Sequence, residues 1–432
     1  MPPPDARSPE ERVVVTGYGM VSPLGGSVET TFENAALGRS GIRELTRFDA
    51  TGLPARIGGQ VDDAWLPPVG PGEDAPQDRP FRLLAAAARE AALQSRLSDV
   101  LPRGRIATVV GGHGGSPSVP DVLRMARVED DDGRPDLARL AAENGYDLHN
   151  FDRRRCDHAP ARLARALDAR GPVIPIVSAC AASAQAIGEG VRLLRDGRAA
   201  AVVAGGTEAH LTYAGYVGFV LLGALSRRYP SPEKASRPFD RRRNGFVMSE
   251  GAAVLVLETL ASARARGVRV LGEVLGYGDS TDAFRITEQH PEGLGASIAM
   301  ERALRDARLS PDAIEYVNAH GTSTAMNDPI ETAAIKRVLG ERAKRVPVSS
   351  NKSMLGHTIG AAGAVEAILT LVGIEKGVLL PTINYEVPDP KCDLDYVPNV
   401  ARRVPHRVAL SNSFGFGGQN ACLALAGADG SS

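Results

Sequence analysis

Cysteine is scarce: the 432-residue chain has four, Cys156, Cys180, Cys392 and Cys422, and no CxxC pair. That is too few for a disulfide scaffold, and a reducing cytoplasm is the default compartment. Aromatic residues are also few, at 5 %, against 47 glycines. Tight turns and close backbone packing are expected rather than an aromatic-rich binding surface. Neither sign of charge is in excess. Lys and Arg total 50, Asp and Glu 51, for a net charge of −1, which gives no support to bulk nucleic-acid binding. No apolar run reaches the ~18 residues of a membrane span, and the N-terminal MPPPDARSPEER lacks the apolar segment of a secretory signal. With 43 % hydrophobic and 23 % charged residues, whole-chain disorder is excluded as well.

What is present is a run of short apolar segments rich in β-branched residues. Arg12–Thr16 reads as a buried strand ending in a turn at Gly17-Tyr18-Gly19. Ile106–Val110, Ala201–Ala204 and Ala253–Leu257 follow, then Arg269–Val274, Ile314–Asn318, Val346–Ser349, Val408–Ser411 and Cys422–Ala426. Continuous rather than alternating apolarity predicts sheets covered on both faces. Helical spacing separates the strands: Phe81–Leu97, then Ala181 to Leu194 stopped by Gly197, and an amphipathic segment carrying Val365, Ile368, Leu369 and Val372. Asp328-Pro329-Ile330-Glu331 reads as an N-cap, an N1 proline and a capping-box Glu opening a helix through Val338. Alternating strands and helices predict an α/β layered fold. Leu66–Pro80 and Gly111 to about Pro160 read as irregular, the latter with some helix around Asp136–Asn144. TGYG near residue 16 and LGYG near residue 275 hint at duplicated halves.

Candidate chemistry centres on four segments. Cys180, in VSACAAS, lies between a strand and a helix, where a helix N-terminus favours a thiolate; a lone Cys in an Ala-rich stretch is otherwise a buried, inert residue. His320 follows a strand in NAHGTST. His357 precedes a Gly/Ala-rich helix in NKSMLGH. Each suits an active-site loop or, equally, a turn carbonyl. Neither has a neighbour at metal-ligand spacing, so no metal is expected. Glu366 either pairs with Lys352 or is an exposed helix charge. NSFGFGGQN is a Gly-rich loop that offers backbone N–H groups to an anion.

Together SACAAS, NAHGTST, NKSMLGH-TIGAAGAVE and NSFGFGGQN, in this order and spacing, resemble the β-ketoacyl-ACP synthases of the thiolase superfamily, type II ketosynthases included. The resemblance runs from about Arg12 to Ala426. It implies a thiolase-like duplicated α/β fold with two sheets layered among helices. Residues 11–260 would form the half carrying the nucleophile, and residues 261–427 the half carrying both His and the gating loop. The implied reaction is decarboxylative condensation of an acyl group on Cys180 with malonyl-ACP to give β-ketoacyl-ACP, in fatty-acid or polyketide synthesis. By likeness His320 and His357 would stabilise the enolate oxygen, and Lys352 with Glu366 would organise the site. The N–H groups of Cys180 and Phe416 would form an oxyanion hole. Thr322 and Thr324 would hold the phosphopantetheine arm, with Phe414 and Phe416 as gates.

The resemblance further implies an acyl carrier protein as partner, docked on Arg79, Arg82, Arg227 and Arg228, and the carrier's phosphopantetheine arm in place of a tightly bound cofactor. It implies a homodimer, with a heterodimer of ketosynthase-like subunits as the other arrangement. Relatives carry a bulky apolar residue, limiting the acyl pocket, where this chain has Gly111-Gly112-His113-Gly114-Gly115; either His113 or Gly114 takes that place. Two other readings are weaker. Non-elongating chain-length-factor subunits lack the nucleophile that Cys180 supplies. A thiolase needs a second Cys near the C-terminus, but Cys422 lies in a strand.

Overall fold

The computed structural model describes residues 7–68, 78–100, 102–115 and 152–428, with parts of 119–142. Its main sheet has ten strands. In chain order they are β1 Val13–Val21, β2 Ile106–Gly111, β3 Val173–Ile176, β4 Ala201–Glu208, β5 Gly251–Thr259, β6 Gly272–Thr281, β7 Tyr316–Asn318, β8 Val348–Ser349, β9 Val408–Gly415 and β10 Gln419–Gly427. The spatial order is β8-β7-β9-β10-β6-β1-β5-β4-β2-β3.

Outward from the centre, β1-β5-β4-β2-β3 repeats as β6-β10-β9-β7-β8. The sense of pairing repeats too. β1–β5 and β5–β4 are antiparallel, β4–β2 and β2–β3 parallel, and the second half matches them step for step. The expected two sheets are joined edge to edge where β1 pairs antiparallel with β6, Val13 opposite Val274. The duplication hinted at by TGYG and LGYG is therefore real in topology.

Those glycines are not a turn after the first strand, as the sequence suggested. They lie inside β1 and β6. A Cβ on Gly19 would stand 2.0 Å from the Ala87 carbonyl of helix α1 (Arg79–Gln94), and one on Gly278 would stand 2.1 Å from the Ala299 carbonyl of another helix, Leu294–Ala307. Both helices rest directly on strand backbone, which only glycine permits.

Helix α2 (Ala182–Arg195) follows β3. A short helix α3 (Tyr213–Leu221) follows β4, α4 is Leu294–Ala307, α5 is Asn327–Leu339 and α6 is Ala362–Lys376. Both faces of the sheet are covered, as continuous apolarity requires. Leu255 and Leu257 of β5 pack in the core that holds α2 and α6, and the alternating Val254 and Val256 in the core that holds α1. From Ala362 to Ile374 every residue of α6 is buried, Glu366 and Thr370 included, so the helix expected to be amphipathic is central and enclosed on all sides.

Three local elements add to the sequence reading. The strand expected to lead into Cys180 is β3, which carries Pro175, as an end strand tolerates, and stops at Ile176, with residues 177–179 intervening before the cysteine. Helix α4 has a weak sequence signal, its buried stripe being Gly, Ala, Ser and Met with Leu304 the single large aliphatic. Of the predicted helix at 136–144, Leu137–Ala142 is helical and 143–144 lie outside the described residues.

Candidate active site

Cys180 sits in a single 3-10 turn, Ala179–Ala181, between β3 and α2. The preceding Ala179 has φ +49, a left-handed conformation that costs a non-glycine residue about 1 kcal/mol or more. Its counterpart in the second half, Ile359 at φ +43, opens the matching turn before α6. The strained turn thrusts Cys180 towards the C-terminal half. There the Cys180 Sγ and one ring nitrogen each of His320 and His357 lie within 4.8 Å of one another.

His357 Nε2 is 3.0 Å from Sγ, while its Nδ1 accepts the Ile359 N–H at 3.3 Å. With Nδ1 accepting, a neutral ring carries its proton on Nε2, facing the sulfur. Burial and the nearby Lys352 hold His357 well below the usual histidine range; for His320 burial, Lys352 and His357 do the same. Both rings are thus neutral hydrogen-bond donors or acceptors, not cations. Among the described residues no protein group hydrogen-bonds the His320 ring. It stands edge-to-face with His357 at 5.3 Å between centroids, leaving a nitrogen for substrate.

Burial pushes the Cys180 thiol up to about 12, against the pull of Lys352 and of the Phe416 backbone N–H. The helix start alone does not make the resting thiolate that the sequence suggested. The sulfur is instead ringed by groups that stabilise charge as it develops: the His357 Nε2–H, the Phe416 N–H and the α2 N-terminus. Gly415 fits beside them because a Cβ there would sit 3.0 Å from the Cys180 nitrogen.

Lys352 and Glu366 form a fully buried ion pair, so Glu366 is not an exposed helix charge. The pair holds a fixed positive charge beside both histidines. Thr322 and Thr324 share a hydroxyl contact of 3.0 Å. They line, with His113, Cys180, His320, His357, Phe414 and Phe416, one cavity of about 240 Å³. Gly114 faces away from it: a Cβ there would meet the Arg154 carbonyl at 2.4 Å. Of the two candidates in that segment, His113 is the one the fold turns to the cavity.

Two expectations need correcting. Arg79 is buried, ion-paired with Glu250 and Asp63, and Arg82 is buried with its guanidinium on the Pro67 carbonyl. Neither is available to dock a partner; both pin α1 to the segment before it. Arg227 and Arg228 are exposed, and Arg227 caps the end of α3 through the Val220 carbonyl, beside the cavity residues Phe219 and Leu222. Asp328 and Glu331 do not cap, because α5 starts two residues earlier than that reading, at Asn327, with Met326 at the N-cap. Asp328 accepts the Phe239 N–H at 2.7 Å, and Glu331 the His320 and Gly321 N–H groups at 2.8 and 2.7 Å. They shape the His320 loop. Glu208, unremarked in the sequence, is buried between His113 and His210; only its place at a strand end in VVAGGTEA could have marked it.

A strained nucleophile turn facing two neutral histidines across a duplicated α/β fold defines a carbon–carbon condensing enzyme of the thiolase type. The chain belongs to the β-ketoacyl synthase family. Residues 10–263 match the family model described as beta-ketoacyl synthase, N-terminal domain, and 271–386 the C-terminal domain. It is 41 % identical over 420 residues to a 3-oxoacyl-[acyl-carrier-protein] synthase 2 of Synechocystis sp., covering 96 % of this chain and 98 % of the relative. A type II polyketide ketosynthase solved with its acyl carrier protein and a hexaketide superposes with TM-score 0.83 at 33 % identity, over 96 % of this chain and 99 % of that one. The ishigamide ketosynthase/chain length factor gives 0.84 at 35 %, over 97 % and 99 %.

Proposed function

We propose that this protein is a β-ketoacyl-ACP synthase that joins an acyl group to malonyl-ACP with loss of CO₂. The observation that carries the reading is the convergence of the Cys180 sulfur with His320 and His357. In the first half-reaction Cys180 attacks the acyl thioester. The carrier thiol leaves with the thiol proton, and the acyl group remains as a thioester on Sγ. The carbonyl oxygen turns negative in the tetrahedral intermediate, within reach of the Cys180 and Phe416 N–H groups.

In the second half-reaction malonyl-ACP enters. Its C–C bond to the carboxylate breaks, CO₂ departs, and the electron pair becomes an enolate whose oxygen takes hydrogen bonds from neutral His320 and His357. A neutral donor serves better than a cation here: it stabilises the enolate without protonating it. The enolate carbon then attacks the Cys180 thioester, and the sulfur leaves and regains a proton. Lys352, held by Glu366, keeps both rings neutral through its own charge.

Thr322 and Thr324 suit the phosphopantetheine arm, and that arm brings each thioester in without a resident cofactor. We assign carrier docking to the exposed Arg227 and Arg228, since acyl carrier proteins are acidic. We further propose a homodimer, joined along β3. This strand ends the sheet and leaves Val173, and Val177 just after it, exposed at 39 % and 56 %. Such an edge invites pairing. Four free cysteines suit a reducing cytoplasm. A non-elongating subunit has no use for a complete Cys-His-His set. Incubation with acyl-ACP and malonyl-ACP tests the proposal: CO₂ release matched by β-ketoacyl-ACP supports it, and neither product from folded protein refutes it.

A further inference from the structure

The pairing of parallel strands β2 and β4 ends at Gly111 opposite Gly206, and beyond it His113, Glu208 at the end of β4, and His210 meet. Glu208 is buried to 1 % exposure. Its Oε2 takes the His113 Nδ1 at 2.8 Å and the Gly360 N–H at 3.2 Å, while its Oε1 takes the His210 Nδ1. The two rings cross edge-to-face at 5.6 Å. None of these three side chains takes part in the condensation described above. A carboxylate so deeply buried is held there by its donors, and those donors fix the His113 ring.

The consequence lies on the ring's other side. With Nδ1 bound to Glu208, His113 turns the rest of its ring to the acyl cavity, where Ala179, Phe219, Phe246 and Ile359 are apolar. Among the described residues its Nε2 has no hydrogen-bond partner. Burial disfavours the charged ring, but the Glu208 carboxylate outweighs it and shifts His113 upward; the charged ring donates from Nε2, and the neutral ring, its proton held on Nδ1 by Glu208, accepts there. A saturated chain lying here would strand that group, whereas an oxygen atom would satisfy it.

Resting on the condensing reading, we infer that His113 receives an oxygen of the bound acyl chain, so that the enzyme selects thioesters with an interior carbonyl or hydroxyl over saturated chains of equal length. A metal held by His113, Glu208 and His210 is the competing use of the same atoms. It is disfavoured because each Nδ1 pairs with its own carboxylate oxygen.

The test is a competition. Wild type, His113→Leu and His113→Gln are each given equimolar saturated and oxo-acyl pantetheine thioesters of one chain length, with the oxo group moved along successive carbons. The adducts on Cys180 are then read by intact mass. The ratio is taken within each protein, so a loss of fold lowers both arms alike. Wild type is expected to favour at least one oxo isomer about tenfold or more, the scale of a hydrogen bond from a charged donor. His113→Leu loses the preference, and His113→Gln, which keeps an N–H donor, retains part of it. No preference in wild type at any position, or an unchanged one in His113→Leu, overturns the inference. So does stoichiometric zinc in wild type that His113→Leu removes. No adduct with either thioester would sink the condensing reading itself.

Discussion

Glu331 accepts the backbone N–H of His320 at 2.8 Å and that of Gly321 at 2.7 Å, with the Asn412 amide donating at 3.2 Å. One buried carboxylate thus fixes the backbone that aims a catalytic ring. Burial nonetheless pushes Glu331 up to about 7 from 4.5. A carboxyl raised on folding binds more protons folded than unfolded, so its contribution is full below 4.5 and is lost as pH rises through about 7. Glu331→Gln should remove that loss. Relative to the variant, wild type should weaken by up to about 3 kcal/mol between those pH values, the scale that such a rise sets. Urea melts of both proteins at pH 4.5 and 7.5 check this; a gap that widens in favour of wild type at higher pH contradicts it.

Removing either histidine should strike the carbanion step. His320→Ala and His357→Ala are each expected to slow malonyl-ACP decarboxylation by ~10²–10³. His320→Ala should still acylate Cys180, and His357→Ala should do so more slowly, since its ring lies 3.0 Å from the sulfur. Because both rings are held far below 6.5, the wild-type rate should show no inflection there. An inflection near 6.5 that His320→Ala abolishes would mean that the cation is the working form.

The arginines separate into two classes. Arg227→Glu and Arg228→Glu should raise the KM for acyl-ACP and leave a pantetheine thioester unaffected. Arg79→Glu should instead cost stability, because it breaks a buried ion pair and sets a second carboxylate against Glu250, which keeps Arg47 alone as its cation, a loss of about 3–5 kcal/mol. Equal effects of Arg227→Glu on both substrates would remove docking from that surface.

At the β3 edge, Val177→Asp places a charge on the exposed end of the sheet. Light scattering should show a dimer for wild type and a shift towards monomer for the variant. A wild-type monomer at micromolar concentration counts against pairing through this strand.

Much of the architecture was legible because strands buried on both faces are written as unbroken apolar runs, such as Ala253–Leu257. The cysteine and both histidines were legible as segments in a fixed order. What escaped depends on distance in space. The capping pattern at Asp328 and Glu331 satisfies a local rule, yet Glu331 holds the His320 loop and Asp328 also takes the N–H of Phe239, 89 positions away. Arg79 and Arg82 look like surface charge until Glu250, 171 positions away, closes over the first of them. Glu208 carries no local sign of the two imidazoles it joins. The thiol of Cys180 stands at a helix start as read, but burial, which spacing does not report, dominates its proton.

The central claim is that Cys180 carries the chain and the two histidines generate the carbanion that takes it. An intact-mass time course tests it directly. Wild type with acyl-ACP alone should gain one acyl mass, located on Cys180. Adding malonyl-ACP should discharge it as a β-ketoacyl-ACP two carbons longer, while Cys180→Ala gains nothing. An acyl adduct persisting on Cys180→Ala, or a wild-type adduct that malonyl-ACP never discharges, would contradict the account.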